Sequence, residues 1–307
     1  MAKAAIAHNG APARPELPKT RLQRKATIFE LVRATLSKSV GRLVQLDPVL
    51  RAKPGIDEVH DARIAVRKLR SQLLMFVPVT DAAWNAELDE DFRWLGNVLG
   101  AARDADVLLA ELTGPLEDLP INDRRHPEDP LAPFRLQREV AYRELERVLR
   151  DPRYTHLIEA AIAAASAPRV HRPQRTAASL LPQLMQRIWK KLRKRVRRSG
   201  AQPTDRDLHR IRIQTKHVRY AAESLIPING DGARQFARRA KALQVLLGKQ
   251  HDAVVAGIAL HEHFANSAQT VLGSELAATE RCAAIHLRER FPSYWKRLAK
   301  KRRHFWV

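Results

Sequence analysis

The stretch "VHDARIAVRKLR", residues 59–70, decides the fold prediction because it gives one helix two distinct faces. Apolar side chains at positions 59, 66, 69 and 73 form a stripe of the kind that packs against a protein core. Four basic side chains occupy an adjacent arc of about 80°: His60, Arg63, Arg67 and Arg70. Because like charges at these spacings destabilise an isolated helix, the pattern indicates a face that binds negative charge.

The same pattern recurs in the second half of the chain, in "LHRIRIQTKHVRY", residues 208–220. Its basic side chains keep the four offsets of the first stretch: His209, Arg212, Lys216 and Arg219. A second pair of segments, "RWLGNVLGAARDADV" (93–107) and "KALQVLLGKQHDAVV" (241–255), follows in the same order. Ordered repeats at a near-constant offset predict an internal duplication, with two helical bundles related by a pseudo-two-fold axis. Such an axis would let the two basic faces converge.

The periodicity between these segments is helical almost throughout, which predicts an all-α fold. The predicted helices cover residues 25–46, 57–78, 83–112, 132–150, 153–166, 180–198, 205–226, 233–264, 272–290 and 293–303. Proline-rich stretches at 113–133 and 166–176 predict loops, and residues 1–20 are expected to form a flexible tail.

The composition points to a polyanionic partner. The 307 residues carry a net charge of +22 with a pI near 10.9, and 45% of them are hydrophobic, enough for a substantial core. A single cysteine, Cys282, excludes an internal disulfide, and no apolar run is long enough for a signal peptide or a membrane span. These features predict a soluble cytoplasmic protein that does not act at a membrane.

The second pair of segments adds candidate site residues. Arg93 matches Lys241, and both are expected at the edge of the same site. A glycine recurs at the same place in both halves, Gly100 in the first, which suggests close approach of another helix or of a ligand. The aspartates that follow, Asp104 and Asp252, either orient the arginines of the site or form ordinary structural ion pairs.

A denser basic run, "RIWKKLRKRVRR" at 187–198, precedes the second His-containing helix. A calmodulin target or a helix on a membrane surface would look similar in isolation. The position in the chain favours a helix that lines or rims the same site as the duplicated faces. Its candidate binding residues lie off the apolar stripe: Lys190, Arg193, Lys194 and Arg197. The basic C-terminal segment "KRLAKKRRHFW" is either a second, exterior anion patch or a solvated end.

The duplicated His-x-x-Arg-x-x-x-[Arg/Lys]-x-[Leu/Val]-Arg helices, each followed by Leu-Gly-x-x-x-Asp, resemble the CHAD domain family. The resemblance implies one domain over residues 21–307, with halves at about 21–166 and 176–307, built as two four-helix bundles around a basic central cavity. It also implies inorganic polyphosphate as the ligand, the duplicated His, Arg and Lys residues as the binding groups, and association with polyphosphate granules and their proteins. The second half departs from the first at His251, which stands where the first has Arg103, and at Val254, which stands where the first has Asp106.

Two other classes of function are less well supported by the sequence. An enzyme acting on polyphosphate needs a metal-binding carboxylate cluster or a nucleophile, and only Asp104 and Asp252 are candidates, so neither catalysis nor a metal or cofactor is expected. His261 and His263 point in different directions on a helix, which argues against a metal site. A nucleic-acid binder is favoured by charge alone, but no aromatic residues interleave the duplicated faces for base stacking. Nucleic acid is therefore expected only as a non-specific competitor.

Overall fold

A computed structural model describes residues 22–117, 131–264, 270–300 and 304–306 of the chain. Within these residues the chain forms ten helices and no strands, so the all-α prediction is confirmed. The helices are α1 (Ile28–Ala52), α2 (Ile56–Phe76), α3 (Ala82–Glu117), α4 (Ala132–Arg150), α5 (Pro152–Ser166), α6 (Ala177–Arg198), α7 (Asp205–Ser224), α8 (Ile226–Asn229), α9 (Asp231–Phe264) and α10 (Thr270–Ala299). The predicted flexible tail, and the part of the predicted 113–133 loop from 118 to 130, lie outside the described residues.

Local sequence explains where several helices begin. Thr27 and Glu30 form a capping box at the start of α1, in which each side chain accepts a hydrogen bond from the other residue's backbone N–H. Thr204 and Asp207 form the same arrangement at the start of α7. Asp151 caps α5 by accepting from the N–H of Arg153 at 2.8 Å. The helix that carries the second basic face is therefore capped by its own sequence.

Three predicted helix boundaries at proline are wrong. The helix predicted to end at residue 112 is α3, which continues through Pro115 to residue 117, inside the predicted loop. The helices predicted at 272–290 and 293–303 are one helix, α10, which continues through Pro292, and α1 continues through Pro48 to residue 52. A proline inside a helix removes one backbone hydrogen bond. The helix continues because the residues on both sides of Pro292 are anchored in the core, where Phe291 and Leu298 are buried. Tertiary packing thus outweighs the local cost of the proline.

The apolar stripes of the two duplicated helices form the interior. The stripe positions of α2 (59, 66, 69 and 73) and those at 208, 211, 218 and 225 are all buried, as the periodicity predicts. They belong to one hydrophobic cluster that includes residues from both halves of the chain. A second, smaller cluster joins the far ends of α3, α4, α9 and α10 through Leu112, Phe134, Leu260 and Ala277. The two halves are therefore held together by a shared apolar core.

The helix boundaries keep the offset of the sequence repeat. α1 and α6 begin at 28 and 177, α2 and α7 at 56 and 205, and α3 and α9 at 82 and 231, an offset of 149 residues each time. At the start of α1 and α6, the N–H of Ile28 donates to the carbonyl of Arg175, and the N–H of Ala177 donates to the carbonyl of Ala26. This exchange is reciprocal, which is what a two-fold relation between the halves produces and supports that prediction.

No helix among the described residues has the length and apolar content that crossing a bilayer requires.

Candidate functional site

The two helices that carry the basic faces, α2 and α7, pack directly against each other. Across their interface, the Ser71 hydroxyl lies 2.9 Å from Nδ1 of His217. Burial, with the charge of Arg67 and Arg63 from the first half, lowers the pKa of Arg212 and of Lys216 in the second half. We call these four residues the central cationic cluster: Arg63, Arg67, Arg212 and Lys216.

The two arginines at matching positions each lie near a matching aspartate, at different distances. Nη1 and Nη2 of Arg63 donate to the two carboxylate oxygens of Asp104 at 2.8 and 3.4 Å, a bidentate pair. Arg212 lies farther from Asp252, with 3.9 Å between Nη2 and Oδ1. Burial raises the pKa of the Asp252 carboxyl against the opposing effect of Arg212, so this aspartate neutralises its arginine less completely. Asp104 leaves 72% of its side chain exposed, whereas Arg63 exposes 18%.

The recurring glycines stand beside these same arginines. A Cβ at Gly100 would lie 3.9 Å from Nη2 of Arg63, and a Cβ at Gly248 would lie 4.0 Å from Nε of Arg212. These are ordinary van der Waals distances, and neither glycine has a positive φ. The close approach inferred from the sequence is therefore made by a guanidinium group in each half, and a methyl group could be accommodated there.

The other two members of the cluster lack a carboxylate partner. Arg67 and Lys216 form no ion pair with any described residue, and Nε of Arg67 is buried without a hydrogen-bond partner among them. Burial, together with the neighbouring guanidinium groups of Arg212, Arg67 and Arg63, lowers the pKa of Lys216 to about 6 against the opposing effect of Asp104. Burial also lowers the pKa of Arg67, although the nearby Tyr220 hydroxyl opposes this change. Basic side chains that are buried without carboxylate partners are typical of a site that receives an anion.

Histidines flank the cluster, and all of them favour the neutral form. Burial, then the charge of neighbouring arginines, lowers the pKa of His60 and of His209. Nδ1 of His209 lies 3.4 Å from Nδ1 of His251, with the ring centroids 4.3 Å apart. Burial, with Arg212 and His209, lowers the pKa of His251 to about 4. The second half therefore presents a pair of neutral imidazoles where the first half has His60 and Arg103.

The remaining predicted residues of the duplicated faces are engaged within their own halves. Nε and Nη2 of Arg70 donate to Asp89 of α3 at 2.9 and 3.3 Å. Arg219 donates to Glu223 at 2.7 Å and to Gln244 of α9 at 3.2 Å. The side chain of Arg93 is 55% exposed and lies 3.9 Å from Asp89, and Lys241 is exposed on α9. None of these four cations acts on both Arg212 and Lys216 as the members of the central cationic cluster do.

The basic run of α6 faces a different place. A cleft of about 170 Å³ is lined by Lys194 and by four residues that the sequence did not single out: Lys191, Arg195, Arg198 and Gln214. The predicted binding residues Lys190, Arg193 and Arg197 are exposed on α6 and do not line this cleft. Because Gln214 lies two residues from Arg212 and from Lys216 on α7, it projects from the opposite side of that helix.

Asp106 has a structural role that explains the departure at Val254. Its buried carboxylate accepts from Nε of Arg138 at 2.6 Å and from the Tyr142 hydroxyl at 2.8 Å. Burial and the bond to Asp106 raise the pKa of Tyr142 to about 12. Since this network fastens α4 to α3, its absence from the second half does not alter the cationic site.

Three residues around the cluster escape prediction from the sequence. Tyr220 supports Arg67, His217 bonds to Ser71, and His251 contacts His209. Of the three, only His251 is marked in the sequence, because it departs from the repeat. The contacts of Tyr220 and His217 could not be predicted, because they depend on how α2 and α7 face each other. Among the described residues, no group of three or more His, Cys, Asp and Glu side chains could hold a metal ion. Chemically, the cluster can bind, orient and neutralise phosphate oxygens.

Comparison with known proteins identifies related sequences. The CHAD domain family matches residues 34–261. An uncharacterized protein of Mycobacterium tuberculosis, found in two strains, is 30% identical over 233 residues, which make up 73% of this chain and 44% of that protein. The chain thus spans less than half the length of this relative.

Two solved structures share the fold. The CHAD domain from the plant Ricinus communis has a TM-score of 0.65 at 27% identity, with 95% of this chain and 98% of that chain covered. PptA from Streptomyces chartreusis has a TM-score of 0.72 at 16% identity, with 88% of this chain and 100% of that chain covered. The second likeness is one of fold alone.

Proposed function

Because the chain belongs to the CHAD domain family, we propose that it binds inorganic polyphosphate at the central cationic cluster, without catalysing a reaction. The observation that carries the proposal is the meeting of Arg67 from one half with Lys216 from the other, neither held by a carboxylate. A linear chain of phosphoryl groups supplies the repeated negative charge that such a row of cations lacks. The basic face of each helix extends over about 15 Å, which suits a repeating anion better than a single phosphate.

Each member of the site would have a distinct part in binding. Arg63, already oriented by Asp104, and Arg212, with Asp252 at 3.9 Å, would present their free N–H groups to phosphate oxygens. Arg67 and Lys216 would supply charge from the interface between α2 and α7. His60 and His209 would become hydrogen-bond donors on both ring nitrogens when the bound anion favours their protonation. Arg70 and Arg219 would extend the track at its rim.

The carboxylates at the site are committed to arginines, which supports binding without turnover. Asp104 holds Arg63, and Asp252 faces Arg212, so neither carboxylate is placed to coordinate a divalent metal together with a third acidic group. We expect polyphosphate incubated with the protein and Mg²⁺ or Mn²⁺ to keep its length on a gel. Metal-dependent shortening that disappeared with Asp104→Asn would establish an enzyme instead.

Binding of nucleic acid is the competing function, since charge alone also favours it. Polyphosphate carries its charges on a flexible chain without bases, and the cluster offers no stacking platform beyond the buried Tyr220. A competition experiment separates the two functions. Labelled polyphosphate bound to the full chain would be challenged with unlabelled polyphosphate, DNA and RNA at equal phosphate concentration and fixed salt.

We expect polyphosphate to displace the label at a concentration at least about tenfold lower than either nucleic acid, a difference of about 1.4 kcal/mol. Equal displacement by DNA or RNA would contradict the proposal.

In the cell, this binding would hold the protein at polyphosphate granules in the cytoplasm, in contact with granule proteins. A fluorescent fusion that stayed diffuse in granule-containing cells would contradict that localisation.

A further inference from the structure

The cleft between α6 and α7 carries a concentration of charge that the central cationic cluster does not use. Four cations of α6 line it together with one neutral polar residue of α7: Lys191, Lys194, Arg195, Arg198 and Gln214. None of the four cations forms an ion pair with a described residue, and Oε1 of Gln214 is buried there without a hydrogen-bond partner. Asp207 lies near Arg195, but its carboxylate is committed to the capping box with Thr204.

The cleft is not a copy of anything in the first half. Relative to α6, α1 begins 149 residues earlier, so the positions matching Lys194, Arg195 and Arg198 are Gln45, Leu46 and Val49. The position matching Gln214 is Ala65, and only the position matching Lys191 is basic, with Arg42. The charge of this cleft therefore belongs to the second half alone, unlike the duplicated site.

The cleft lies on the other side of α7 from Arg212 and Lys216. Lys191 of the cleft and Lys216 of the cluster nevertheless both act on His217, whose pKa is lowered first by burial and then by neighbouring cations. Gln214 projects from the opposite side of α7 to Arg212 and Lys216, across a helix about 10 Å in diameter. The volume of about 170 Å³ is about ten times what one ordered water requires, so more than one phosphoryl group fits. We infer that this cleft is a second anion site, which takes a short run of phosphoryl groups from a free oligophosphate or from a longer polyphosphate chain.

The arrangement accounts for both kinds of donor in the cleft. Lysine ammonium groups contribute compact charge, while the arginines contribute planar forks that bind two phosphate oxygens together. A purely structural role is the alternative, because cations in the last turn of α6 also stabilise the negative end of the helix dipole.

Isothermal titration of the full chain with tripolyphosphate tests the inference. The wild type is expected to bind at two sites, and Lys194→Met with Arg198→Met is expected to lose one of them, with affinity there reduced roughly 100-fold. The matched control, Lys53→Met with Arg281→Met, removes one lysine and one arginine from exposed positions elsewhere and is expected to keep both sites.

A second variant guards against misfolding. Gln214→Glu keeps the shape of the side chain and supplies the cations with a carboxylate, so we expect the second site to be lost while the melting temperature rises. Two results would overturn the inference. In the first, the cleft variants keep the wild-type stoichiometry and lose only stability, which is what a role in stabilising the helix dipole requires. In the second, the control variant loses as much binding as the cleft variants.

Long-chain polyphosphate identifies the source of the phosphoryl groups. If one chain occupies both sites, the cleft variant will lose more affinity for long chains than for tripolyphosphate. If the cleft takes a separate oligophosphate, long-chain affinity will be unchanged while the tripolyphosphate site is lost. A failure of the proposed function would give a different result. Arg67→Met with Lys216→Met would then bind polyphosphate like the wild type, while the cleft variant would still bind it more weakly.

Discussion

Lys216 is the residue at which the stability of the free protein and the binding of an anion are most directly opposed. It is half-buried beside three guanidinium groups, and Asp104 is the acidic group that acts on it. The pKa of about 6 means that much of this lysine is neutral in the free protein near neutral pH. A polyanion would reverse the balance, because its negative charge favours the ammonium form. The side chains of the site would therefore carry more positive charge when polyphosphate is bound than when the site is empty.

Proton uptake on binding follows from these pKa directions. At about pH 7.5, binding of polyphosphate is expected to take up roughly one proton, mainly at Lys216, with smaller uptake at His60 and His209. Affinity should therefore increase as pH falls from about 9 towards 6. Calorimetry in buffers of different ionisation enthalpy measures the uptake directly. Binding enthalpy that was independent of the buffer would contradict this account, and Lys216→Met should remove most of the effect.

The same lysine should make the free protein less stable at low pH. Its pKa is about 6 when folded and about 10.5 when unfolded, so between these values the unfolded chain holds a proton that the folded chain lacks. The free energy of unfolding therefore rises with pH through this window. Lys216→Met should flatten this rise and increase stability at pH 7 by about 1–4 kcal/mol while weakening polyphosphate binding.

Urea unfolding at several pH values measures this effect, with the exposed Lys53→Met as the matched control. A Lys216→Met protein less stable than the wild type would show that the lysine has a structural partner.

At the residue scale, the sequence predicts which cations share a face but not which of them are neutralised. Spacing places Arg63, Arg67 and Arg70 on one side of α2. Arg70 is nevertheless held by Asp89, which lies on the next helix. Such partners depend on the rotation of one helix against another, and a single sequence contains no measure of that rotation. The neutral pair His209–His251 escapes prediction for the same reason.

At the scale of the helix, the recurring glycines offer a separate test. Gly100 lies inside α3 with ordinary backbone angles and with room for a methyl group. Gly100→Ala should therefore stabilise the protein by about 0.5–1 kcal/mol, through helix propensity. Gly96→Ala in the same helix is the control, since its Cβ would lie 3.3 Å from Cγ1 of Val66 and the gain should be reduced or lost. Thermal unfolding of both variants gives the comparison, and a destabilised Gly100→Ala protein would show that the space beside Arg63 is needed.

Helices themselves are predicted well where the apolar stripe is regular, as in α2 and α7. They are predicted poorly where proline conflicts with packing. Pro292 predicts an end to a helix, yet α10 continues because Phe291 and Leu298 are buried on either side of it. The local sequence indicates that a helix should end at this proline. The hydrophobic core that keeps the helix continuous is formed by segments far away in the chain.

At the scale of the whole molecule, the two halves of the chain share one core and bring their basic helices together. The shared hydrophobic core binds the halves together, and the reciprocal hydrogen bonds between the starts of α1 and α6 relate them as a two-fold axis would. Part of the net charge of +22 is concentrated in a central cluster and in a cleft found in one half only. The repeat made the meeting of α2 and α7 predictable from sequence. The cleft could not be predicted from the repeat, because the first half has no counterpart of it.

The most direct test of the central claim removes one unpaired cation from each half. Equilibrium binding of labelled polyphosphate would compare the wild type with Arg67→Met plus Lys216→Met, and with the control Lys53→Met plus Arg281→Met, at one pH and salt concentration. The account predicts that the cluster variant, with unchanged helical circular dichroism, binds about 100-fold more weakly or worse, while the control stays close to wild type. Equal binding by the two variants would contradict it, because the affinity would then come from overall charge and not from the cluster.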